Sequence, residues 1–481
     1  MRISRNLWRT FAGQTTAALA LFQLSFALSF LPERAHAQAT TTGASVEAVL
    51  SLAGAIREAD QRAFGNRVAA AVVAAHRAGA RLPIAGILPS ARIEAGLTRT
   101  TDPIAAFGTT LRQRLVTPAA FDPARLNDPV AVTNLQSGLI IELPLFNLDA
   151  WTAVRAARTA ANVSSAAADW GKVNTRADVV RAYYGAVLST EKIATLTQVQ
   201  RAADAAKRQV QAMMQQGLVT KADMLQAQVR SAEIASQLIG ARNDAVSARQ
   251  RLALLLGRVD DMSLALPSAL PSEASVRALA VHDSIPQPTE ESVAGRGDLR
   301  ATRAAAAAAQ LDRRRAEGAL LPRVNSFARY DWNAPSGLFA GRKNWTVGVL
   351  ASWSLFGGNR ELVDLVVASA RTVGARAESD ASFAAGRLDA DTTRRAVAVA
   401  LERLDLAQLV DEQSREAHRL VEKRYVGGLA TFAELLSAET SATSAALARS
   451  AARFAIIDAI TMHRRAIGAD PAELSALETA R

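Results

Sequence analysis

One sixteen-residue stretch occurs twice in this sequence, and the repetition limits the possible folds more than any other feature. Residues 213–228 read MMQQGLVTKADMLQAQ, and residues 424–439 read RYVGGLATFAELLSAE. When Gly217 is aligned with Gly428, six of the eleven positions that begin at this glycine are identical. Matched alanines carry little weight in an alanine-rich chain, but the shared Gly-Leu-x-Thr core predicts two tandem copies of one folding unit.

Each stretch predicts a tight turn between two long helices. Glycine adopts the left-handed backbone that ends one helix, and threonine with an acid three residues later forms the capping box that begins the next. The acid is Asp223 in the first copy and Glu434 in the second. The predicted turn residues are Gly217, Leu218, Thr220, Gly428, Leu429 and Thr431.

The duplication extends well beyond the two turns. Asn134 and Asn344 lie 210 residues apart, as do Gly138 and Gly348, while the two turn glycines lie 211 residues apart. Gly257 and Gly468 also lie 211 residues apart, so the offset stays nearly constant over more than 120 residues and indicates that both copies contain the same elements in the same order.

The composition favours long helices and excludes several kinds of site. Hydrophobic residues make up 49% of the chain but aromatic residues only 5%, which is more typical of long helices than of a compact sandwich. The chain has no cysteine, so disulfides, thiolate metal sites, a cysteine nucleophile and a cysteine-linked lipid anchor are excluded. The net charge of +11 is spread among acids along predicted helices, so we expect solvated helix faces and no nucleic-acid partner.

The first 37 residues have the pattern of a secretory signal peptide. Arg2, Arg5 and Arg9 form a basic start, and an apolar stretch follows over residues 17–31. The small-x-small sequence at residues 35–37 is typical of a signal peptidase site, which predicts cleavage before Gln38 and export from the cytoplasm.

Four segments alternate apolar and polar residues with the period of a β-strand. They cover approximately residues 89–100, 134–146, 322–332 and 344–356. Trp345 and Trp353 lie eight residues apart on one apolar face. That separation is about 26 Å at ~3.3 Å per residue, close to the ~25 Å height of the apolar band of a membrane barrel. Tyr330 and Trp332 would join such an aromatic girdle, whereas a water-soluble hairpin packed on a core is the alternative.

Four strands cannot close a barrel, and open sheet edges are not tolerated in lipid, so membrane strands predict that several chains share one barrel. The pattern divides the chain into a signal peptide, two repeats, a connector and a tail. The predicted bounds are 1–37, a first repeat at 38–257, a connector at 258–296, a second repeat at 297–468 and a C-terminal tail at 469–481. The helical hairpins are predicted at 148–257 with a turn at 217 and at 358–468 with a turn at 428.

These motifs resemble the TolC-like outer-membrane efflux family. The resemblance rests on the Leu-Pro pairs at 88–89 and 321–322, on residues 144–146 and 354–356, and on the two Gly-Leu-x-Thr turns. It implies a mainly α fold with membrane β-strands, built from two tandem repeats of helix, β-hairpin and long helical hairpin. Three chains would form a trimeric twelve-stranded β-barrel that continues as an α-helical barrel in the periplasm.

The resemblance also implies a location, partners and functional residues. The homotrimer would sit in outer-membrane lipid and meet a periplasmic adaptor protein that joins it to an inner-membrane pump or ABC exporter. Turn residues at Gly217, Leu218, Gly428 and Leu429 would contact the adaptor. Family members often place acids at this tip to lock or filter it, and the candidates here are Asp223, Glu434, Lys221, Gln226 and Ser437. Plain helix capping is the alternative role for the two acids.

Catalytic chemistry is not indicated, and we expect neither enzymatic activity nor a cofactor. The five histidines are scattered, and none forms a close pair at metal-ligand spacing. Residues 189–192 match Ser-x-x-Lys, but they lie in a predicted helix without companion motifs. The sequence therefore predicts a passive exit duct for an efflux pump or a type I secretion system. The alternative hypothesis is a soluble periplasmic coiled-coil scaffold, and a third hypothesis is an envelope protein that binds a polyanion.

Overall fold

The computed structural model describes residues 49–259, 264–280 and 289–475. The predicted signal peptide and the last six residues lie outside the described residues.

Helices and strands follow one another in a similar order in the two halves. The first half contains α1 (Leu52–Arg62), α2 (Phe64–Gly79), β1 (Ser90–Thr100), α3 (Pro103–Arg112), α4 (Pro123–Asn127), β2 (Val132–Phe146), α5 (Leu148–Gln215) and α6 (Lys221–Leu255). The second half contains α7 (Glu273–Ala280), α8 (Glu290–Ala294), α9 (Gly297–Gly318), β3 (Arg323–Ala334), β4 (Arg342–Ser352), α10 (Arg360–Val426) and α11 (Phe432–Ala466).

The four strands form one antiparallel sheet in the order β1-β2-β3-β4. Residues that are paired across neighbouring strands lie on the same side of the sheet. One side is predominantly apolar, and on it Ile93 lies opposite Leu139 and Tyr330 lies opposite Trp345. The other side is mainly polar, and there Arg92 forms ion pairs with Glu94 at 2.9 Å and with Glu142 at 2.8 Å. The sheet therefore separates an apolar surface from a polar one.

Each strand is connected at the same end of the sheet to one helix. Helix α2 leads into β1 through a short 3-10 turn at Leu82–Gly86, α5 follows β2, α9 leads into β3 and α10 follows β4. The helices pack in the same lateral order, α2 on α5, α5 on α9, and α9 on α10. Sheet and helices thus form one continuous wall. Among the helices in the described part of the chain, none combines the length and the apolar character needed to span a lipid bilayer.

The main hydrophobic core lies part-way along the long helices, where α1, α5, α6, α10 and α11 meet. Its largest fully buried side chains include Tyr183, Tyr184, Leu252, Leu404 and Ile456. Towards the sheet and towards the turns the helices bury only small clusters and leave many apolar side chains exposed. Because isolated helices of this length have no compact core of their own, these surfaces require further partners.

Arg296 joins four helices close to the boundary between the repeats. Its side chain is only 6% exposed and lies over the ring of Trp170, 4.7 Å from the ring centre. The guanidinium donates to the Ala466 carbonyl at 2.9 Å and forms ion pairs with Asp298 at 2.8 Å and Asp389 at 3.1 Å. Burial alone would lower the pKa of Arg296, because it disfavours the charged form. The hydrogen bonds and charges of Asp298 and Asp389 outweigh the effect of burial, so the pKa lies above its ordinary value.

The strand predicted at 344–356 ends earlier than expected. Ser352 pairs with Arg323, the first residue of β3, so the residues after Ser352 have no strand partner. The prediction that Trp353 lies on the strand is therefore wrong by one residue. Instead, its indole Nε1 donates to the Leu320 carbonyl at 3.0 Å, on the segment that leads into β3.

The segments interpreted as connector and tail contain more structure than their composition indicated. The connector at 258–296 contains α7, whose Val276 is buried in the main core, and α8, whose Val293 is buried in a smaller cluster with Leu299 and Ala390. Residues 101–131, between β1 and β2, contain α3 and α4. The tail forms a 3-10 turn at Pro471–Ser475, and Leu474 is fully buried in the main core.

Candidate functional site

Both predicted turns have the same backbone geometry at the far ends of the helical hairpins. Gly217 has a φ of 74°, and the Leu218 N–H donates to the Met213 carbonyl at 2.9 Å. In the second copy Gly428 has a φ of 71°, and the Leu429 N–H donates to the Arg424 carbonyl at 2.8 Å. These bonds satisfy carbonyls that a helix end would leave without partners. The motif leaves Leu218 and Leu429 65% and 73% exposed, respectively.

The caps that follow the two turns differ. The Thr220 hydroxyl accepts from the Asp223 N–H at 3.2 Å, and the Asp223 carboxylate accepts from the Thr220 N–H at 2.9 Å and from its hydroxyl at 2.7 Å. Thr431 accepts from the Glu434 N–H at 3.2 Å, but no bond returns from the Glu434 carboxylate to Thr431. Asp223 therefore caps its helix with both its backbone and its carboxylate, whereas Glu434 contributes only its backbone N–H and presents its charge to solvent.

The bonds from Thr220 lower the pKa of Asp223 below its ordinary 3.8. A carboxyl with a lowered folded-state pKa stabilises the fold above its ordinary pKa, and the contribution is lost only as the pH falls through the lowered value. Asp223 therefore keeps its charge, and its cap, throughout the physiological pH range.

A small apolar cluster connects the turn of one repeat to the turn of the other. Val210 and Ala227 from the first repeat are buried with Phe432 from the second, and Tyr425 packs beside them with its ring 6.0 Å from that of Phe432. The Tyr425 hydroxyl is buried and has no hydrogen-bond partner among the described residues. Burial, together with the negative charge of Asp223, raises the pKa of Tyr425. Tyr425 therefore lies near the acid of the other repeat.

Sequence reasoning missed Tyr425. The available signal was an aromatic residue three positions before the turn glycine, in a chain with few aromatics. Of the other predicted tip residues, Lys221, Gln226 and Ser437 are exposed. The tip therefore carries a mixture of charges, with Lys221 close to Asp223 in the chain.

Aromatic residues lie near both ends of the apolar side of the sheet. Near the loop end, the Tyr330 and Trp332 rings are 4.8 Å apart, the Trp332 and Phe339 rings are 5.3 Å apart, and Trp345 faces Tyr330. Beside the helices, Trp353 is exposed. The predicted girdle residues thus divide into a cluster of three and a single tryptophan. Sequence reasoning did not include Phe339, which lies in a loop.

Within the described ranges, no group of three or more histidine and acidic side chains is arranged to hold a metal ion. The geometry is that of a wall with one polar face and a pair of structured turns at its end.

The comparisons with known proteins identify the family. The model of the outer membrane efflux protein family matches residues 55–258 and 289–469. Among curated proteins, no sequence matches the chain. The fold is similar to that of the CmeC outer membrane channel of Campylobacter jejuni, with 15% identity, a TM-score of 0.75, and coverage of 89% of this chain and 88% of that one.

Two further solved structures have the same fold. VceC, an outer membrane protein of Vibrio cholerae, is 20% identical with a TM-score of 0.74, over 87% of this chain and 96% of its own. The MtrE outer membrane channel of Neisseria gonorrhoeae is 19% identical with a TM-score of 0.73, over 90% of this chain and 94% of its own. The chain therefore belongs to the outer membrane efflux protein family, and it is a passive outer-membrane channel, not an enzyme, that serves as the exit duct of an efflux pump.

Proposed function

We propose that three copies of this chain form one closed duct, with the sheet in the outer membrane and the helical turns as its periplasmic gate. The observation that carries the proposal is that the two lateral edges of the wall are complementary. Strands β1 and β4 are the sheet edges, and neither has an outer partner among the residues that the structure describes. A contact between two different edges of identical chains produces a ring when the rotation closes.

The helices beside the two edge strands also expose apolar side chains, those of α10 next to the sheet and those of α2 further from it. Helix α2, next to β1, exposes Phe64, Val68 and Val72 at helical spacing. Helix α10, next to β4, exposes Leu362 and Val366 in its first turns. Pairing β4 and α10 of one copy with β1 and α2 of the next would complete the sheet and cover both sets of apolar side chains. The same contact removes the open strand edges that lipid does not tolerate.

The lower half of the wall has a similar pair of edges. There the helices pack in the order α6, α5, α11, α10, so α6 and α10 are outermost. Helix α6 exposes Val229 and Ile239, and α10 exposes Leu406 and Val410. If the same rotation relates each copy to the next, edge-to-edge packing would therefore bury apolar surface along the upper and the lower half of the wall.

The number of copies follows from the number of strands. Two copies supply eight strands, and an eight-stranded barrel has an interior just wide enough for its own side chains. Three copies supply twelve strands, which at ~4.8 Å spacing and a tilt of about 40° give a barrel roughly 24 Å across between backbones. Three is therefore the smallest number that leaves an open lumen, and the family resemblance implies the same number.

The polar side of the sheet would line the lumen and the apolar side would face lipid. In this arrangement the repeats at 38–257 and 297–468 contribute equivalent hairpins to the barrel and equivalent turns to the tip. The exposed Leu218 and Leu429, together with the turn glycines and threonines, would meet a periplasmic adaptor. Transport is driven by the inner-membrane partner, either a pump or an ABC exporter, and the duct performs no bond chemistry.

One experiment tests the oligomer and the duct together. We expect the protein purified from outer membranes in detergent to have three times the mass of the mature chain and to conduct ions in a planar bilayer. A monomer or dimer from the soluble periplasm without conductance would contradict the proposal and support the scaffold alternative. A conducting oligomer of another size would overturn only the copy number.

The position of Asp223 at the start of α6, near the cluster that joins the two turns, predicts how the gate responds to substitution. Asp223→Asn weakens the cap of α6 and removes the charge that Tyr425 faces, while Tyr425→Phe removes only the buried hydroxyl. We expect Asp223→Asn to raise single-channel conductance or open probability several-fold because the two turns separate more easily. Tyr425→Phe removes a buried hydroxyl that has no hydrogen-bond partner in the described part of the chain and keeps the ring in the cluster, so we expect it to leave the open probability unchanged or to lower it.

Gln228→Ala is the matched control, because Gln228 is exposed further along the same helix and is not among the candidate tip residues. Its current should match that of the unmodified channel. Glu434→Gln, which removes a solvent-facing charge without disturbing a cap, should reduce cation preference and leave open probability unchanged. Unchanged currents in both Asp223→Asn and Glu434→Gln would exclude a gating or filtering role for these acids.

A further inference from the structure

A cavity of about 610 Å³ lies where the helices join the sheet. It is enclosed by the start of α5, the end of α9, the start of α10, the beginning of β3 and the residues that follow β4. Its volume falls within the range of small-molecule sites, about 300–1,000 Å³. The cavity belongs to one chain, and it lies away from the turns that form the proposed gate.

The cavity has charged side chains of both signs, and several lack partners. Arg360, Glu361 and Asp364 line it, and the structure gives their side chains no ion pair or hydrogen bond with any other described residue. Asp149 pairs with Arg323 at 2.6 Å through one carboxylate oxygen. Its other oxygen, Oδ1, is buried and has no hydrogen-bond partner among the described residues.

The position of the cavity is as informative as its charges. Trp353 lines it and is exposed, directly after the end of β4. Leu355 and Phe356 follow, and both are 79% exposed. A tryptophan beside exposed apolar residues, at the limit of an apolar band, is typical of the boundary between lipid acyl chains and water. The cavity therefore lies at the level of lipid headgroups on the helical side of the membrane.

We propose that this cavity binds the headgroup of a phospholipid that carries a phosphate and a primary ammonium, as phosphatidylethanolamine does. The proposal rests on the placement of the sheet in the outer membrane. The Arg360 guanidinium presents a planar set of donors that matches phosphate oxygens. The carboxylates of Asp149, Glu361 and Asp364 accept from the ammonium, which has three N–H donors.

The same chemistry distinguishes this headgroup from other common ones. Arg315 and Arg323 also line the cavity, but Arg315 pairs with Asp312 and Arg323 with Asp149. An anionic headgroup without an amine would therefore still leave Glu361 and Asp364 unpaired. A choline headgroup carries a positive charge that could rest on Trp353, but it has no N–H to donate to a carboxylate. A primary ammonium satisfies both the charge and the hydrogen bonds of the unpaired Glu361 and Asp364 carboxylates.

The test uses the full-length channel purified from outer membranes and native mass spectrometry with added short-chain lipids. With equal concentrations of ethanolamine, glycerol and choline phospholipids, we expect at least ten-fold more ethanolamine lipid bound per chain. The variants Arg360→Ala and Asp364→Asn should each reduce that binding at least five-fold. Free phosphoethanolamine should compete only at far higher concentration if the acyl chains contribute, and at similar concentration if the site holds the headgroup alone.

Arg313→Ala is the matched control, because Arg313 is exposed, pairs with Glu317 on its own helix and does not line the cavity. It should bind as much lipid as the unmodified chain. Equal binding of all three lipids, or equal binding by the cavity variants and the control, would overturn the proposal. Conductance measured on the same samples distinguishes the two proposals. A channel that conducts but shows no lipid preference would support the proposed duct and contradict only the proposed lipid site.

Discussion

Replacing Val349 by arginine is expected to abolish assembly of the channel in the outer membrane. Val349 lies near the middle of β4 on the apolar side of the sheet, opposite Ser326, and is 65% exposed in the single chain. An arginine on the lipid face near the bilayer midplane costs about 2–4 kcal/mol per chain, so a ring of three copies would lose roughly 6–12 kcal/mol. The measurement is the fraction of heat-resistant oligomer in isolated outer membranes.

The adjacent residue provides a strict control. Leu350 is also exposed and apolar, but it lies opposite Asn325 on the polar side of the sheet. Leu350→Arg places the charge in the water-filled lumen and should assemble normally. Normal assembly of both variants would show that neither side of this strand faces lipid. Failure of Leu350→Arg alone would mean that the two sides of the sheet are exchanged.

Replacing Arg296 by alanine is expected to destabilise the helical wall more than any other single charge removal. The change leaves the carboxylates of Asp298 and Asp389 without their shared cation, leaves the Ala466 carbonyl unsatisfied and uncovers the Trp170 ring. Removing one partner of a buried ion pair costs about 3–5 kcal/mol, and we expect a loss at the lower end because both carboxylates are partly exposed. The measurement is the loss of helical circular dichroism on heating in detergent.

Arg300→Ala is the matched control on the same helix. Arg300 forms one ion pair with Asp169 at 2.9 Å, and both side chains are about half exposed. Such surface pairs contribute roughly 0–1 kcal/mol, so the variant should melt close to the unmodified protein. Arg296→Lys keeps the charge but cannot reach all three acceptors at once, and it should melt between the two. Equal melting of Arg296→Ala and Arg300→Ala would contradict the role of Arg296 in joining the helices.

The features that the sequence predicted well are those governed by local chemistry. The turn at Gly217 needs only a glycine, a threonine and an acid at fixed spacing, and all three act within one helical turn. The two sides of the sheet could be assigned because alternation along a strand depends on neighbouring residues alone. Because the two repeats match, an element predicted in one repeat could also be expected at the matching position of the other.

The features that the sequence did not reveal depend on residues distant in the chain. The end of β4 is set by where its partner β3 begins, which no pattern within residues 344–356 encodes. Arg296 contacts Trp170 and Ala466, and Tyr425 faces Asp223, across separations of more than one hundred residues. Helix α7 lies among prolines and serines that favour a loop, and burial of Val276 overrides that preference.

Because α5 has a fixed length, transport should depend on the distance between the inner and the outer membrane. A helix of 68 residues extends about 100 Å at ~1.5 Å per residue, and the return helix adds no length beyond the turn. The reach of the duct is thus fixed by the rise of the α-helix, and the duct cannot lengthen to follow a moving partner without breaking helical hydrogen bonds. Cells whose envelope is widened beyond the combined reach of the duct and its partners should lose efflux even though every component remains folded and present.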